Sequence, residues 1–140
     1  MNHLTNKVYF ILSACKGNNP KADAVYTEEL ADILNERGDN YRRVSGRYKG
    51  TIEESFLVES PSAEGSQYTS RELAKATLLE LASVFEQESI AEIDANNSLL
   101  YLHYTKDGRQ ECLGKVRVTS DEPSGDHTKV GDKYFTLYDS

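Results

Sequence analysis

The sequence has little positive charge and no long apolar segment. Its 140 residues include 16 Lys and Arg against 23 Asp and Glu, which gives a formal net charge of -7. Non-specific binding to nucleic acid needs a basic surface, so this balance argues against it. The strongly apolar run at residues 8–14 is too short to cross a membrane and lacks the flanks of a secretion signal. We therefore expect neither a nucleic-acid partner nor a membrane partner.

Cysteines are few, and the familiar catalytic motifs are missing. Cys15 and Cys112 lie far apart, and without a secretion signal we expect them to be reduced thiols of a cytoplasmic protein. There is no Gly-x-x-x-x-Gly-Lys loop, no Gly-x-Gly-x-x-Gly, and no histidine at metal-ligand spacing from cysteines or acids. No neighbouring base would activate Cys15 as a nucleophile. The sequence thus predicts no metal and no cofactor, and His103 is interpreted as a histidine on the face of a strand.

The length and the order of the periodic segments predict one α+β domain over residues 1–140. Residues 8–12 read as a buried strand, and a helix capped by Asn19 begins at Pro20 and ends at Gly38. A second helix is predicted from a capping box at Thr69 and Glu72. Its apolar face is Ala74, Leu78, Leu81 and Phe85. Further strands are predicted at residues 41–48, 55–59, 90–94, 99–105, 112–118 and 134–138, with loops at 60–66 and 121–132.

This order, β-α-β-β-α-β, is that of the ferredoxin-like fold: an antiparallel sheet with two helices on one face, here with a C-terminal β-hairpin extension. The last strand, 134–138, would lie at the edge of the sheet. The face without helices is commonly covered by oligomerisation, so we expect an oligomer.

The most informative segment is residues 44–60, Val-Ser-Gly-Arg-Tyr-Lys-Gly-Thr-Ile-Glu-Glu-Ser-Phe-Leu-Val-Glu-Ser. Gly46 and Gly50 permit backbone turns around Tyr48, and the acids Glu53 and Glu54 follow. An aromatic ring beside a carboxylate suits a compact organic cation. The simpler interpretation is an irregular hairpin with a half-buried tyrosine and solvated acids, and residue types alone favour it. Ser13, at the end of the first strand, is better placed to hydrogen-bond a ligand than to attack one.

Over most of its length the sequence resembles the phage-encoded enzymes that degrade S-adenosylmethionine (SAM), first described as SAM hydrolases and in part reassigned as SAM lyases. The resemblance rests on the order and spacing of several short matches. They are Val8-Tyr9-Phe10-Ile11-Leu12-Ser13-Ala14, Gly46-Arg47-Tyr48-Lys49, the acid pair Glu53-Glu54, Phe85-Glu86-Gln87, Leu100-Tyr101, Asp107-Gly108 and Phe135-Thr136. The segment between Tyr48 and the acid pair is shorter here than in the family, so the family's essential glutamate can fall on either acid. Glu53 is preferred because Glu-x-Ser-apolar matches the family's entry into the strand.

The resemblance implies a trimer of a PII-like, ferredoxin-related fold with ligands bound between subunits. It implies cleavage of SAM to methylthioadenosine and homoserine lactone, with a role in evading host restriction and methylation. The implied catalytic residues are Glu53, Tyr48 and Glu54. The implied substrate-binding residues are Ser13, Ser45, Lys49 and Ser55.

Two other functions fit parts of the sequence. A PII-like sensor that binds an adenine nucleotide without turnover would use the basic residues Arg42, Arg43, Arg47 and Lys49 for the phosphates. An acidic anti-restriction protein would bind by mimicking DNA. Such a mimic needs clustered acids, whereas here these four basic residues interrupt the acidic ones.

Overall fold

The computed structural model describes residues 8–16, 19–48, 51–59, 71–94 and 97–137. Within these ranges the chain forms eight strands and two helices. The strands are β1 (Val8–Leu12), β2 (Tyr41–Tyr48), β3 (Thr51–Glu59), β4 (Ser89–Asp94), β5 (Leu99–Tyr104), β6 (Gln110–Thr119), β7 (His127–Val130) and β8 (Lys133–Leu137). The helices are α1 (Pro20–Arg37) and α2 (Arg71–Val84).

Helix α1 begins and ends where its sequence predicts. The Asn19 side chain accepts hydrogen bonds from the backbone N–H groups of Lys21 and Ala22, and Pro20 occupies the first helical position. Gly38 adopts φ 77°, a left-handed conformation that costs a glycine little, and its N–H donates to Asn35 O. These end groups satisfy backbone atoms that the helix itself leaves unpaired.

Helix α2 buries the predicted apolar face. Ala74, Leu78, Leu81 and Phe85 all belong to one buried cluster. The helix is closed by Glu86 at φ 57° and by a hydrogen bond from the Gln87 N–H to Ala82 O. In the capping box predicted at its start, Thr69 and the Glu72 side chain lie outside the described part of the structure, as does the predicted loop 60–66. Neither of the two helices described is long and apolar enough to cross a bilayer.

The strands form a closed antiparallel barrel in the order β1-β3-β2-β7-β8-β6-β5-β4, and β4 pairs with β1 to complete it. The predicted ferredoxin-like or PII-like open sheet is therefore wrong. Such a sheet would end at two edge strands, but β7 pairs with β2 and β5 pairs with β4. The C-terminal strands supply partners for backbone groups that an open edge would expose, so the C-terminal segment completes the sheet.

Four local expectations also change. The predicted loop at residues 121–132 contains β7, and the predicted edge strand near the C-terminus is β8, which pairs with both β6 and β7. Strand β3 begins at Thr51, ahead of the predicted Ser55. Gly46, expected to permit a turn, is a buried strand residue opposite Glu53. The hairpin formed by β2 and β3 is thus more regular than its glycines indicate.

Two apolar clusters lie on opposite sides of the same strands, because successive side chains of a strand point to opposite faces. One cluster lies between the helices and the barrel wall. It comprises Phe10, Leu12, Ala14, Leu30, Ala31, Leu34, Phe56, Val58, Ala74, Leu78, Leu81, Ala82, Phe85 and Ile90. The other lies inside the barrel and comprises Ile11, Val44, Leu57, Ile93 and Val116. The helices contact β1, β3 and β4, so these three strands are packed on both faces.

Candidate active site

One end of the barrel carries a polar rim where β3 runs past the end of β1. The ladder between these strands ends at the pair Leu12–Phe56. Two residues beyond it, the Glu54 carbonyl accepts a hydrogen bond of 2.9 Å from the Ser13 hydroxyl. The chain leaving β1 therefore stays against β3 through a side chain in place of backbone pairing.

The segment Ser13–Lys16 is fixed from three sides. The Cys15 N–H donates to the Ser13 hydroxyl oxygen at 3.0 Å, which closes a tight local turn. The Gln87 side-chain amide, just after α2, donates to the Cys15 carbonyl at 2.9 Å. From α1, Asp23 accepts a 2.8 Å hydrogen bond from the Lys16 N–H. Elements distant in sequence thus place the Ser13 hydroxyl at the rim.

The two candidate acids lie in different environments. Glu53 is half-buried and shares a strand face with Ser55 and Leu57, the face turned to the barrel interior. Glu54 is exposed on the opposite face, where its charge helps to raise the pKa of Arg43, although the hydrogen bond from Arg43 to Glu28 is the larger cause. The arrangement therefore favours Glu53 as the acid able to meet a ligand in a partly dry site.

The electrostatics of Glu53 follow from this position. Burial raises the pKa of the Glu53 carboxyl above its ordinary value, and the nearby negative charge of Asp23 raises that pKa further. A hydrogen bond from the Ser13 hydroxyl lowers the pKa and so opposes these effects. Because a hydroxyl has one proton, Ser13 can donate a hydrogen bond to the Glu53 carboxyl or to the Glu54 carbonyl, but not to both at once. A ligand cation next to Glu53 would relieve the cost of keeping this acid ionised.

The strand register brings Tyr48 close to this acid in the sheet. Tyr48 pairs with Thr51 at the end of β2, and the next pair on the same face is Gly46 with Glu53. Gly46, which pairs with Glu53, adds no side chain to this face. Tyr48 therefore occupies a diagonal position from Glu53 on one face of the β2–β3 ribbon.

The remaining predicted residues divide between the two faces. Ser55 is buried on the face of Glu53, opposite Val44. Ser45 pairs with Glu54 and shares its outward face. Lys49 lies outside the described residues. Of the predicted set, the structure thus brings together Ser13, Glu53 and Ser55, with Tyr48 at the adjoining register position.

Sequence reasoning did not identify Asp23 and Gln87 as residues of this region. Asp23 is in the first turn of a helix that closely follows β1, so the short connection was a usable signal that it returns to the end of β1. Gln87 follows a helix C-terminus whose Glu86 has a left-handed conformation. Its contact with Cys15 joins parts of the chain that no local pattern relates.

A second buried polar group lies elsewhere. His103 and Glu92 face each other across β5 and β4, with 2.6 Å between Nε2 and Oε1, and each side chain is almost completely buried. This confirms His103 as a histidine on a strand face. Among the described residues, no three His, Cys, Asp or Glu side chains are grouped so as to hold a metal ion.

The fold and the rim define a small barrel with a partly buried acid suited to a cationic ligand. Residues 10–138 match the model of the S-adenosylmethionine lyase family, and the chain belongs to that family. Its activity is the lyase cleavage of SAM, so the predicted family, substrate and reaction class are confirmed. A search of curated proteins gave no match.

Proposed function

We propose that this lyase converts SAM to methylthioadenosine and homoserine lactone at the barrel rim, with Glu53 binding the cationic part of the substrate. The observation that carries the proposal is the half-buried Glu53 carboxyl, whose pKa is raised mainly by burial and which has the Ser13 hydroxyl beside it. A partly desolvated carboxylate attracts a cation more strongly than a solvated one does. SAM supplies such a cation at its sulfonium.

The reaction on this proposal is intramolecular. The carboxylate oxygen of the substrate attacks its own γ-carbon, a C–O bond forms, and the C–S bond breaks with its electron pair going to sulfur. The sulfonium becomes a neutral thioether, and the carboxylate becomes a lactone. Opposite charges cancel in the transition state, so orientation and exclusion of water accelerate the reaction without proton transfer.

Five of the seven candidate residues have a role in this scheme. Glu53 holds the substrate near its sulfonium, and the ring of Tyr48 favours the folded conformer that brings the carboxylate to the γ-carbon. Hydroxyls of Ser13 and Ser55, together with Lys49, are the groups proposed for the amino-acid part of the substrate. Ser45 and Glu54 lie on the opposite face of the ribbon, so they contribute only if the substrate also meets that face.

A site between subunits would meet this condition, and we propose that the enzyme is a homotrimer. Ile52 supports the proposal, because it is 71% exposed on the outward face of β3, next to Glu54. Light scattering should then give a mass near three times 15.7 kDa, whereas a strict monomer would remove the intersubunit site. We further propose a cytoplasmic, anti-restriction role in phage-infected cells, in which loss of SAM limits host methylation.

The raised pKa of Glu53 would also suit a general base, and this favours hydrolysis as a second candidate reaction. In that hydrolase, Glu53 would activate a water that attacks the γ-carbon and releases homoserine directly. The lyase needs no such proton transfer.

Product analysis in ¹⁸O-water separates the two reactions. The lyase should give homoserine lactone first, and any homoserine formed later by lactone hydrolysis should carry the label in its carboxyl group. Homoserine labelled in its side-chain hydroxyl from the first time points would contradict the lyase mechanism. SAM that stays intact would contradict both reactions.

Tyr48 is tested by a matched pair of variants. Tyr48→Phe keeps the aromatic face and should keep most of the affinity for SAM, whereas Tyr48→Ala should lower kcat/KM about tenfold. Circular dichroism and melting curves should show both variants folded. Equal activity of the two variants would remove the ring from the proposed mechanism.

A further inference from the structure

Helix α1 turns one polar face toward the segment that leaves β1. Asp23 and Thr27 are one helical turn apart and so lie on the same side of the helix. The Asp23 carboxylate accepts the Lys16 N–H at 2.8 Å, and the Thr27 hydroxyl oxygen is 3.6 Å from the Cys15 sulfur. Both contacts are with the segment that carries Ser13.

A continuous chain of contacts leads from Asp23 to the site. The Lys16 amide fixed by Asp23 follows Cys15, whose own N–H donates to the Ser13 hydroxyl oxygen. The Ser13 hydroxyl in turn meets the Glu54 carbonyl, next to Glu53. A change at Asp23 would therefore move Ser13 relative to Glu53 without a substrate contact by Asp23 itself.

Among the surrounding charges, Asp23 is the acid that changes the pKa of Glu53. Its negative charge raises the pKa of Glu53, in addition to the larger effect of burial. Glu86, at the end of α2, is paired with Lys16, whose pKa is raised by that hydrogen bond and, to a smaller extent, by the charge of Asp23. On the outward face Arg43 is paired with Glu28 and is near Glu54. The thiol of Cys15 is the remaining titratable group on the segment.

We propose that Asp23 is a positioning residue of the lyase site, which holds the Ser13–Lys16 segment and adds a negative charge that favours the cationic substrate over the neutral thioether product. This inference rests on the proposed role of Glu53. SAM carries a sulfonium and an ammonium against one carboxylate, whereas methylthioadenosine carries no charge. The second acid thus strengthens binding of the substrate but not of methylthioadenosine, which aids release of that product.

The test compares Asp23→Asn with Asp23→Ala, and uses Asp32→Asn as the control. Asparagine keeps an oxygen that can accept the Lys16 N–H but removes the charge, whereas alanine removes both. Asp32 is an exposed acid on the same helix, so its change removes one charge away from the site. For each variant, kcat, KM for SAM, inhibition by methylthioadenosine and the pH dependence of kcat/KM are measured.

Asp23→Asn should raise KM for SAM about tenfold and change kcat less than about twofold, with unchanged inhibition by methylthioadenosine. The acidic limb of its pH profile should move to lower pH, because the pKa of Glu53 falls when the neighbouring charge is removed. Asp23→Ala should also lower kcat, because the segment is released. Asp32→Asn should behave as the unmodified enzyme.

An Asp23→Asn variant that matches Asp32→Asn in KM and pH profile would overturn the inference, even if its melting temperature fell. Glu53→Gln, assayed in parallel, separates this failure from failure of the proposed site. If Glu53→Gln is inactive and Asp23→Asn is unaffected, only the inference about Asp23 is wrong. If Glu53→Gln keeps full activity, the proposed site is wrong and the inference falls with it.

Discussion

The strands that carry the helices differ from the four C-terminal strands in how they are packed. In β1, β3 and β4 alternate residues enter the two apolar clusters, so both faces of each strand are covered. In β6, by contrast, Val116 is the buried residue among ten, and Val118 is 59% exposed. The first region provides most of the core, and the second closes the barrel.

The candidate site belongs to the doubly packed region. Ser13 follows β1, Glu53 lies on β3, and Asp23 and Gln87 reach the same segment from α1 and from the end of α2. A side chain placed by several packed elements keeps its geometry without help from a ligand. The strands covered on both faces thus position the candidate site residues, whereas the C-terminal strands pair with the backbone groups at the sheet edges.

The largest expected effect is on activity alone. Glu53→Gln should lower kcat/KM about 1000-fold, equivalent to about 4 kcal/mol, because the partly buried anion that binds the cation is lost. Its melting temperature at neutral pH should equal or exceed that of the unmodified protein. The raised pKa of Glu53 means that its ionised form opposes folding, and this cost disappears as the pH falls through the folded-state pKa.

The control for this change is Glu59→Gln, at the other end of the same strand, where Glu59 accepts a hydrogen bond from Asn40. It should leave kcat/KM within about twofold of the unmodified enzyme. Equal losses in the two variants would mean that the site has been assigned to the wrong end of β3.

The next effect compares the stability of the two regions through matched valines. Val58 in β3 is completely buried, so Val58→Ala should lower the free energy of unfolding by about 2.5 kcal/mol through lost burial and a residual cavity. Val118→Ala in β6 should stay within about 0.5 kcal/mol, because that side chain is largely in water. Denaturant unfolding measures both values, and similar losses would remove the proposed difference between the regions.

The smallest effect concerns the contact between α2 and the rim. Gln87→Glu replaces the amide that donates to the Cys15 carbonyl with an acceptor, and should cost about 1.5 kcal/mol and a few degrees of melting temperature. Turnover should fall with it because the Ser13 segment is loosened. Gln110→Glu makes the same chemical change at an exposed strand residue and should alter neither stability nor turnover. Equal behaviour of the two variants would show that the Gln87 contact does not support the site.

Local patterns predicted the elements well because their signals lie within a few residues. Asn19, Pro20 and Gly38 mark the ends of α1, and the spacing of Ala74, Leu78 and Leu81 identifies the buried face of α2. These features depend on helix geometry and on capping of backbone groups, which nearby residues determine.

The closure of the barrel was not predicted, because strand pairing between distant segments leaves no local signal. Strand β7 has four residues, His127–Val130, in a polar stretch with Pro and Gly nearby. This segment is a strand because it pairs with the edge of β2 that β3 does not occupy. The site shows the same limit: the acid pair and Ser13 could be selected from sequence, but the contacts of Asp23 and Gln87 depend on the packed tertiary structure.

The pairing of Gly46 with Thr128 has a consequence for how the chain reaches its folded state. Strand β2 can form its hairpin with β3 early, but its other edge cannot pair with β7 until Val130 has been synthesised. Pairing at such separation slows folding, because loop closure must precede the contacts that stabilise it. During that interval the exposed edge can accept a strand from another chain. The barrel that protects the finished enzyme therefore leaves the nascent chain dependent on rapid completion of its last strands.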